Sequence, residues 1–345
     1  MQRTPRPNIY AVAERAGVSI ATVSRVQRGK DVVARETRDR VLRAIEELGY
    51  RPNGTGRALA EQRTDAIGIV FPDLSGPYYS EVIAGCEDRV VAEGRSLLIL
   101  ATHGREHAAD LVFDLAGRVD GVMVMGRTVP DDVVRTLDGD GVPIVLLARA
   151  GFDGIPAVRA ENVAPAAALT GLLLRGGHEA IAFLGDSASS PDAAERWQGY
   201  LNAHEAAGRP APAEPVPVLF DEGQSHEAAT RLLGRAERPT ALLCANDEIA
   251  LGALAAAHEL GLRVPGDVAI TGWDDIQVAR YVSPALTTVR QPMRLLGARA
   301  AELLFERIHT GVTPAGEVLP TELVVRASCG CASTDGSNNT GGGAR

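Results

Sequence analysis

Apolar residues recur at helical spacing through the first 50 positions, then from residue 66 gather into short runs of strand length. Ile9, Val12, Ala13 and Ala16 share one helical face, and Gly17 ends that helix. Ser19 is placed to cap a second helix with apolar positions Val23 and Val26. A third is predicted over 35–48, with Val41, Leu42, Ile45 and Leu48 on one face and Gly49 as its stop. Two short helices joined by a glycine turn make a helix-turn-helix, and three can enclose a small core. The exposed face of the second carries Ala21, Thr22, Ser24 and Arg25, which fits a DNA major groove about 12 Å wide. Helix pairs of this kind also occur in ordinary bundles, so the motif alone leaves both readings open.

Beyond residue 66, candidate strands are Ala66–Phe71, Ser96–Ala101, Gly121–Met125, Pro143–Ala148, Ala180–Leu184, Thr240–Cys244 and Val268–Gly272. Helical patterns fall between them at about 77–93, 106–117, 130–138, 163–175, 192–207, 225–235, 247–261 and 292–310. Near-continuous apolar strands alternating with helices predict parallel sheets covered on both faces. The strands divide near residue 160, which predicts two doubly wound lobes with a ligand cleft at the carboxyl ends of the strands. Residues 1–7 read as a basic arm. The tail at 332–345 is small and polar and is expected to be disordered.

Charge sharpens the division. The net charge is −9, yet residues 1–63 carry thirteen basic against seven acidic side chains, +6, leaving −15 on the rest. A basic head on an acidic body is the electrostatic footprint of a nucleic-acid module joined to another domain. No apolar run approaches the roughly 18 residues needed to span a bilayer, and no signal-peptide core opens the chain, so a cytoplasmic protein is expected. The four cysteines form no disulfide framework, Cys329-Gly330-Cys331 lacks the second half of a metal site, and the seven histidines show no ligand spacing. No metal and no cofactor is expected. An enzyme on a doubly wound fold is the rival from another class. No GxGxxG follows the first strand and no GxxxxGK[ST] exists, so no catalytic residue is assigned. A periplasmic solute-binding protein is a second rival, disfavoured by the basic head.

The segment from Ile9 to Arg25, with Val18-Ser19 and Thr22-Val23-Ser24-Arg25, is followed by Glu36-Thr37-Arg38 and by Ala44-Ile45-Glu46-Glu47-Leu48-Gly49-Tyr50-Arg51-Pro52-Asn53. Together they closely resemble the N-terminal domain of the lactose-repressor (LacI) family of bacterial transcription regulators. The resemblance continues through Ile67-Gly68-Ile69-Val70, Arg196, Gly199-Tyr200, Ala245-Asn246-Asp247, Val268 to Asp275, and Leu286-Thr287-Thr288-Val289-Arg290-Gln291. It implies a ligand-controlled repressor acting as a homodimer, or a dimer of dimers, on double-stranded operator DNA of approximate two-fold symmetry, with no membrane partner. It also implies a small all-α helix-turn-helix domain over 1–52, a hinge at 53–63 and a two-lobed α/β core like the periplasmic binding proteins over 64–331. The first lobe would take about 64–160 and 292–320, and the second about 161–291 and 321–331.

The same resemblance assigns roles. Ile20, Ala21 and Arg25 match base-reading positions, with Thr22 and Ser24 suited to phosphates; Ile20 could equally pack on Tyr50. Asn53, Arg57 and Leu59 fall on the hinge helix, Leu59 at a position that wedges into the minor groove. Gly54 and Gly56 depart from the family there and predict a hinge that folds only on DNA. For the effector, a sugar or related polyol, the matching positions are Tyr78, Tyr79, Arg196, Phe220, Asn246 and Asp274. Asp73 and Gln291 stand at the cleft edge, and Trp273 adjoins Asp274. Ala148 stands where many relatives have Asp, which removes one hydroxyl acceptor.

Overall fold

The computed structural model describes residues 7–27, 33–50 and 64–331. They belong to two compact units divided between Thr64 and Asp65. In the first, Asn8 caps helix α1 (Ile9–Ala16) by accepting the Ala11 N–H at 3.1 Å, and Gly17 ends it at φ +66°. Ser19 Oγ accepts the Thr22 N–H at 3.2 Å and starts α2 (Ile20–Gln27). Helix α3 (Arg35–Leu48) closes a core of Val12, Val23, Val41, Ala44 and Tyr50. Leu42 is not in that core but half-exposed. Val41, Ala44, Ile45 and Leu48 form the buried stripe, and Leu42 lies about 100° around the helix from Val41.

The second unit has two lobes. The first holds a parallel six-stranded sheet in the order β10-β5-β4-β3-β1-β2, built from β1 (Ala66–Phe71), β2 (Ser96–Ala101), β3 (Val122–Met125), β4 (Ile144–Leu147), β5 (Ala157–Ala160) and β10 (Glu317–Leu319). Strand residues point alternately to opposite faces. Thus Ile67, Ile69 and Phe71 meet α4 (Pro77–Ala92) and α11 (Met293–Thr310), while Ala66 and Val70 meet α5 (Ala108–Ala116) and α6 (Asp131–Gly139).

The second lobe carries the parallel sheet β6 (Ile181–Leu184), β7 (Ala241–Cys244) and β8 (Ala269–Thr271). It packs in one core with α7 (Val163–Arg175), α8 (Pro191–Ala206), α9 (Glu222–Leu233) and α10 (Asp247–Glu259). Four strands were not anticipated: β5, β10, and the antiparallel pair β9 (Thr288–Arg290) and β11 (Glu322–Val324). All lie where the chain passes between lobes, near residues 160, 290 and 320.

Helices α4 and α11 cross with their backbones in contact. A Cβ on Gly85 would collide with the Arg294 carbonyl oxygen, and one on Gly297 with that of Val82. Gly297→Ala is expected to force the helices apart and destabilise the core unit by about 1–3 kcal/mol, read as a lower thermal unfolding midpoint. An unchanged midpoint would refute the close approach.

Candidate functional site: the cleft between the two lobes

The carboxyl ends of the strands in both sheets open onto one cleft, whose empty space of about 520 Å³ is partly open to solvent. Its walls include Tyr78, Tyr79, Arg196, Phe220, Asn246 and Asp274, six residues from five stretches of chain that the fold brings together. Gln291 also lines it. Asp73 does not; its carboxylate instead accepts the Ser75 N–H at 2.6 Å and shapes the turn before α4.

Arg196 projects from α8 and is buried. Its Nε donates to Asn162 Oδ1 at 2.9 Å, its Nη1 to the Ala245 carbonyl at 2.6 Å, and its guanidinium lies 4.5 Å from the Trp273 ring centroid. Trp273 is therefore a platform beneath the arginine, not a wall of the cavity. A guanidinium with fixed Nε and Nη1 presents its remaining N–H groups in a defined fork.

Asp274 follows β8 in a left-handed conformation, φ +111°. Gln291 Nε2 donates to its Oδ1 at 2.5 Å. Burial pushes its carboxyl up to about 7, against the opposing pull of the Arg196 charge. Asn246 caps α10, its Oδ1 taking the Ile249 N–H at 2.9 Å and its Nδ2 reaching Glu248 Oε2 at 3.3 Å.

Tyr78 and Tyr79 stand in the first turn of α4, edge to face with centroids 5.5 Å apart. Burial raises the Tyr78 phenol well above its ordinary range, so it stays a neutral donor. Phe220, on the loop before α9, carries Arg127 over its ring at 5.1 Å. Arg127 follows β3 in the first lobe, so this contact spans the cleft.

Glu248 makes a second close approach across the cleft: a Cβ on Gly76 would sit 2.5 Å from Glu248 Oε1, and Gly76 has φ +89°. The two lobes are thus closed on one another.

Sequence reasoning missed Asp192, Glu248, Ser190 and Arg127, all of which line the cavity. Asp192 and Glu248 occupy first turns of α8 and α10, where acidic residues are ordinary, and no pattern marks them as facing a cleft. Burial raises both carboxyls. With Asp274 they place three carboxylates on the second lobe, while Ala148, at φ +50°, leaves the first-lobe wall aromatic and apolar around Arg127.

In the helix-turn-helix unit, Ile20, Ala21 and Arg25 are exposed on α2, and Thr22 and Ser24 half-exposed. Ile20 is absent from the three-helix core, which rules against its packing on Tyr50. The Thr22 hydroxyl lies 3.0 Å from Ser19 Oγ. Asn53, Arg57 and Leu59, with the hinge and the tail, lie outside the described residues.

The model of bacterial regulatory proteins of the lacI family matches residues 8–53, and a periplasmic-binding-protein-like domain matches 170–329. The HTH-type transcriptional repressor PurR of Proteus mirabilis (strain HI4320) is 37% identical over 310 residues, 87% of this chain and 90% of that protein. The chain belongs to the LacI family. It is a DNA-binding transcriptional regulator with a helical reader and a periplasmic-binding-protein-like core. Among solved structures, a Lac repressor dimer bound to operator and the anti-inducer ONPF matches with a TM-score of 0.85 and 28% identity, over 94% of this chain and 99% of that one. A complex of the regulator CelR with cellobiose matches with a TM-score of 0.72 and 33% identity, over 94% and 100%. Among the described residues no helix is long and apolar enough to cross a membrane, and no cluster of His, Cys, Asp and Glu could hold a metal.

Proposed function

We propose that this LacI-family member is a cytoplasmic repressor that binds a two-fold symmetric operator as a homodimer and whose operator affinity is set by a sugar or related polyol in the cleft. The reading treats it as a binding protein without catalysis. One observation carries it: a cleft between the lobes whose second-lobe wall offers Arg196, Asn246, Asp192, Glu248 and Asp274, facing the rings of Tyr78 and Tyr79. Hydroxyls are donor and acceptor at once, so a cation, an amide and carboxylates in fixed geometry satisfy them, while apolar sugar faces stack on aromatic rings. The CelR–cellobiose complex and the operator-bound Lac repressor dimer support the same reading. Closure on the ligand would shift the equilibrium between lobe arrangements. Operator affinity then changes by a coupling energy of about 1–3 kcal/mol, and operator changes ligand affinity by the same factor.

On α2, Arg25 is assigned to guanine O6 and N7, Ile20 and Ala21 to base edges, and Thr22 and Ser24 to phosphates. The hinge at 53–63, with Asn53, Arg57 and Leu59, is assigned to the minor groove. Selection of genomic fragments by the full-length protein at about 150 mM salt tests the reading, because affinity depends steeply on salt. A recovered palindrome with half-sites about one turn apart supports the dimeric reader, and neighbouring genes nominate the sugars to titrate. No enrichment would mean either that the glycine-containing hinge needs a corepressor to fold or that residues 8–60 are not a DNA reader. Arg25→Ala is expected to cost about 1–3 kcal/mol on that operator and to relax preference at one base pair per half-site. A uniform loss across all sequences would reassign Arg25 to a phosphate.

A further inference from the structure

Two charged cleft residues share a buried partner that belongs to neither wall. Asn162 lies between β5 and α7, where the chain first passes from one lobe to the other, and is wholly buried. Its Oδ1 accepts from Arg196 Nε at 2.9 Å. Its Nδ2 lies 3.0 Å from Asp192 Oδ1, 3.0 Å from Glu195 Oε2 and 3.3 Å from the Ala160 carbonyl. Glu195 in turn takes Arg159 Nη1 on both oxygens at 2.9 Å, and Arg159 stands on β5 in the first-lobe sheet.

An amide is the group this place requires. It offers an acceptor to the guanidinium and donors to two carboxylates within one planar unit, whereas a carboxylate there has no hydrogen to give and a hydrocarbon has neither. Buried polar networks of this kind fix geometry because each member leaves a costly orphan when removed.

We propose that Asn162 is a positioning residue for the cleft: it sets the orientation of Arg196, locks Asp192 beside it, and anchors both to the crossover between lobes. The two charges then move together with the crossover and, through Glu195, with the first-lobe strand that holds Arg159. The inference rests on the cleft being the effector site, but its geometric core needs no ligand to be tested.

The chain has two tryptophans, so Trp197→Phe in the full-length protein leaves Trp273 as the only indole. Trp273 lies under the Arg196 guanidinium, is wholly buried, and its Nε1 has no hydrogen-bond partner. In that background Arg196→Ala sets the emission expected when the cation is gone. Asn162→Ala is expected to move Trp273 emission to the red, toward that reference, as Arg196 swings away and water reaches the indole. Thermal melts check that the variant is folded. Should the alanine variant fail to melt cooperatively, Asn162→Ser, too short to reach Arg196, takes its place. Parent-like emission from the alanine or serine variant overturns the proposal. Neither result bears on whether a sugar binds, so failure here is distinct from failure of the effector reading.

Discussion

Arg196→Ala is expected to abolish the response of operator affinity to the sugar. The guanidinium is 2% exposed and supplies the cleft with fixed charged donors. Hydrogen bonds to charged groups contribute about 1.5–3 kcal/mol each, so losing two lowers affinity at least about a hundredfold. The loss is compounded inside the cleft. The Ala245 carbonyl and Asn162 Oδ1 are orphaned, and Asp192 and Asp274 lose the cation that holds their carboxyls down. Both would protonate at higher pH and cease to accept ligand hydroxyls. Calorimetric titration of the sugar named by the genomic selection, with operator gel shifts across a sugar series, reads both halves. A variant that still responds at parental sugar concentrations would place the effector elsewhere.

Asp274→Asn should make the protein more stable and less able to bind. The Asp274 carboxyl is buried and pushed up to about 7, against 3.8 for its ordinary value. Between those values the folded state keeps the proton that the unfolded state has released, so stability falls as pH rises toward 7 and stays low above it. A shift of this size corresponds to at most about 4 kcal/mol. Asparagine carries no charge, keeps the side-chain shape and tolerates the positive φ that Asp274 adopts. The variant is therefore expected to melt higher than the parent at pH 8, and by a smaller margin at pH 5, while losing affinity for ligand hydroxyls. Equal melting at both pH values would show that the carboxylate is not paying a burial penalty. For the parent, ligand affinity should rise with pH through about 7 as the acceptor ionises.

The three-helix unit was legible because its signals are local. Gly17, Ser19 and Gly49 mark helix ends through their own backbone and side-chain chemistry, and the buried stripes repeat every three or four residues. The same holds for β1 to β4 and β6 to β8, whose apolar runs between helical stretches fix a doubly wound architecture. Strands β5, β9, β10 and β11 were not legible. They are three or four residues long, and β10 pairs with β5 across some 160 positions of sequence. Each also carries an Arg or Glu, so none forms an apolar run like those of β3, β4 and β6 to β8, and only the tertiary pairing reveals it as a strand.

The cleft divides in the same way. Arg196, Asn246, Asp274 and the aromatic residues could be named from motif resemblance, because each sits in a recognisable stretch. Asp192, Glu248 and Asn162 could not: an acidic residue in a first helical turn, or an asparagine before a helix, reads the same in solvent as in a buried site. What the sequence by itself determined is the set of helices, the main strands and the kind of protein, all written in neighbouring residues. The tertiary structure alone decided which carboxylates lose their water and which amide ties them to the crossover, because burial and hydrogen-bond geometry arise only when distant segments exclude solvent together.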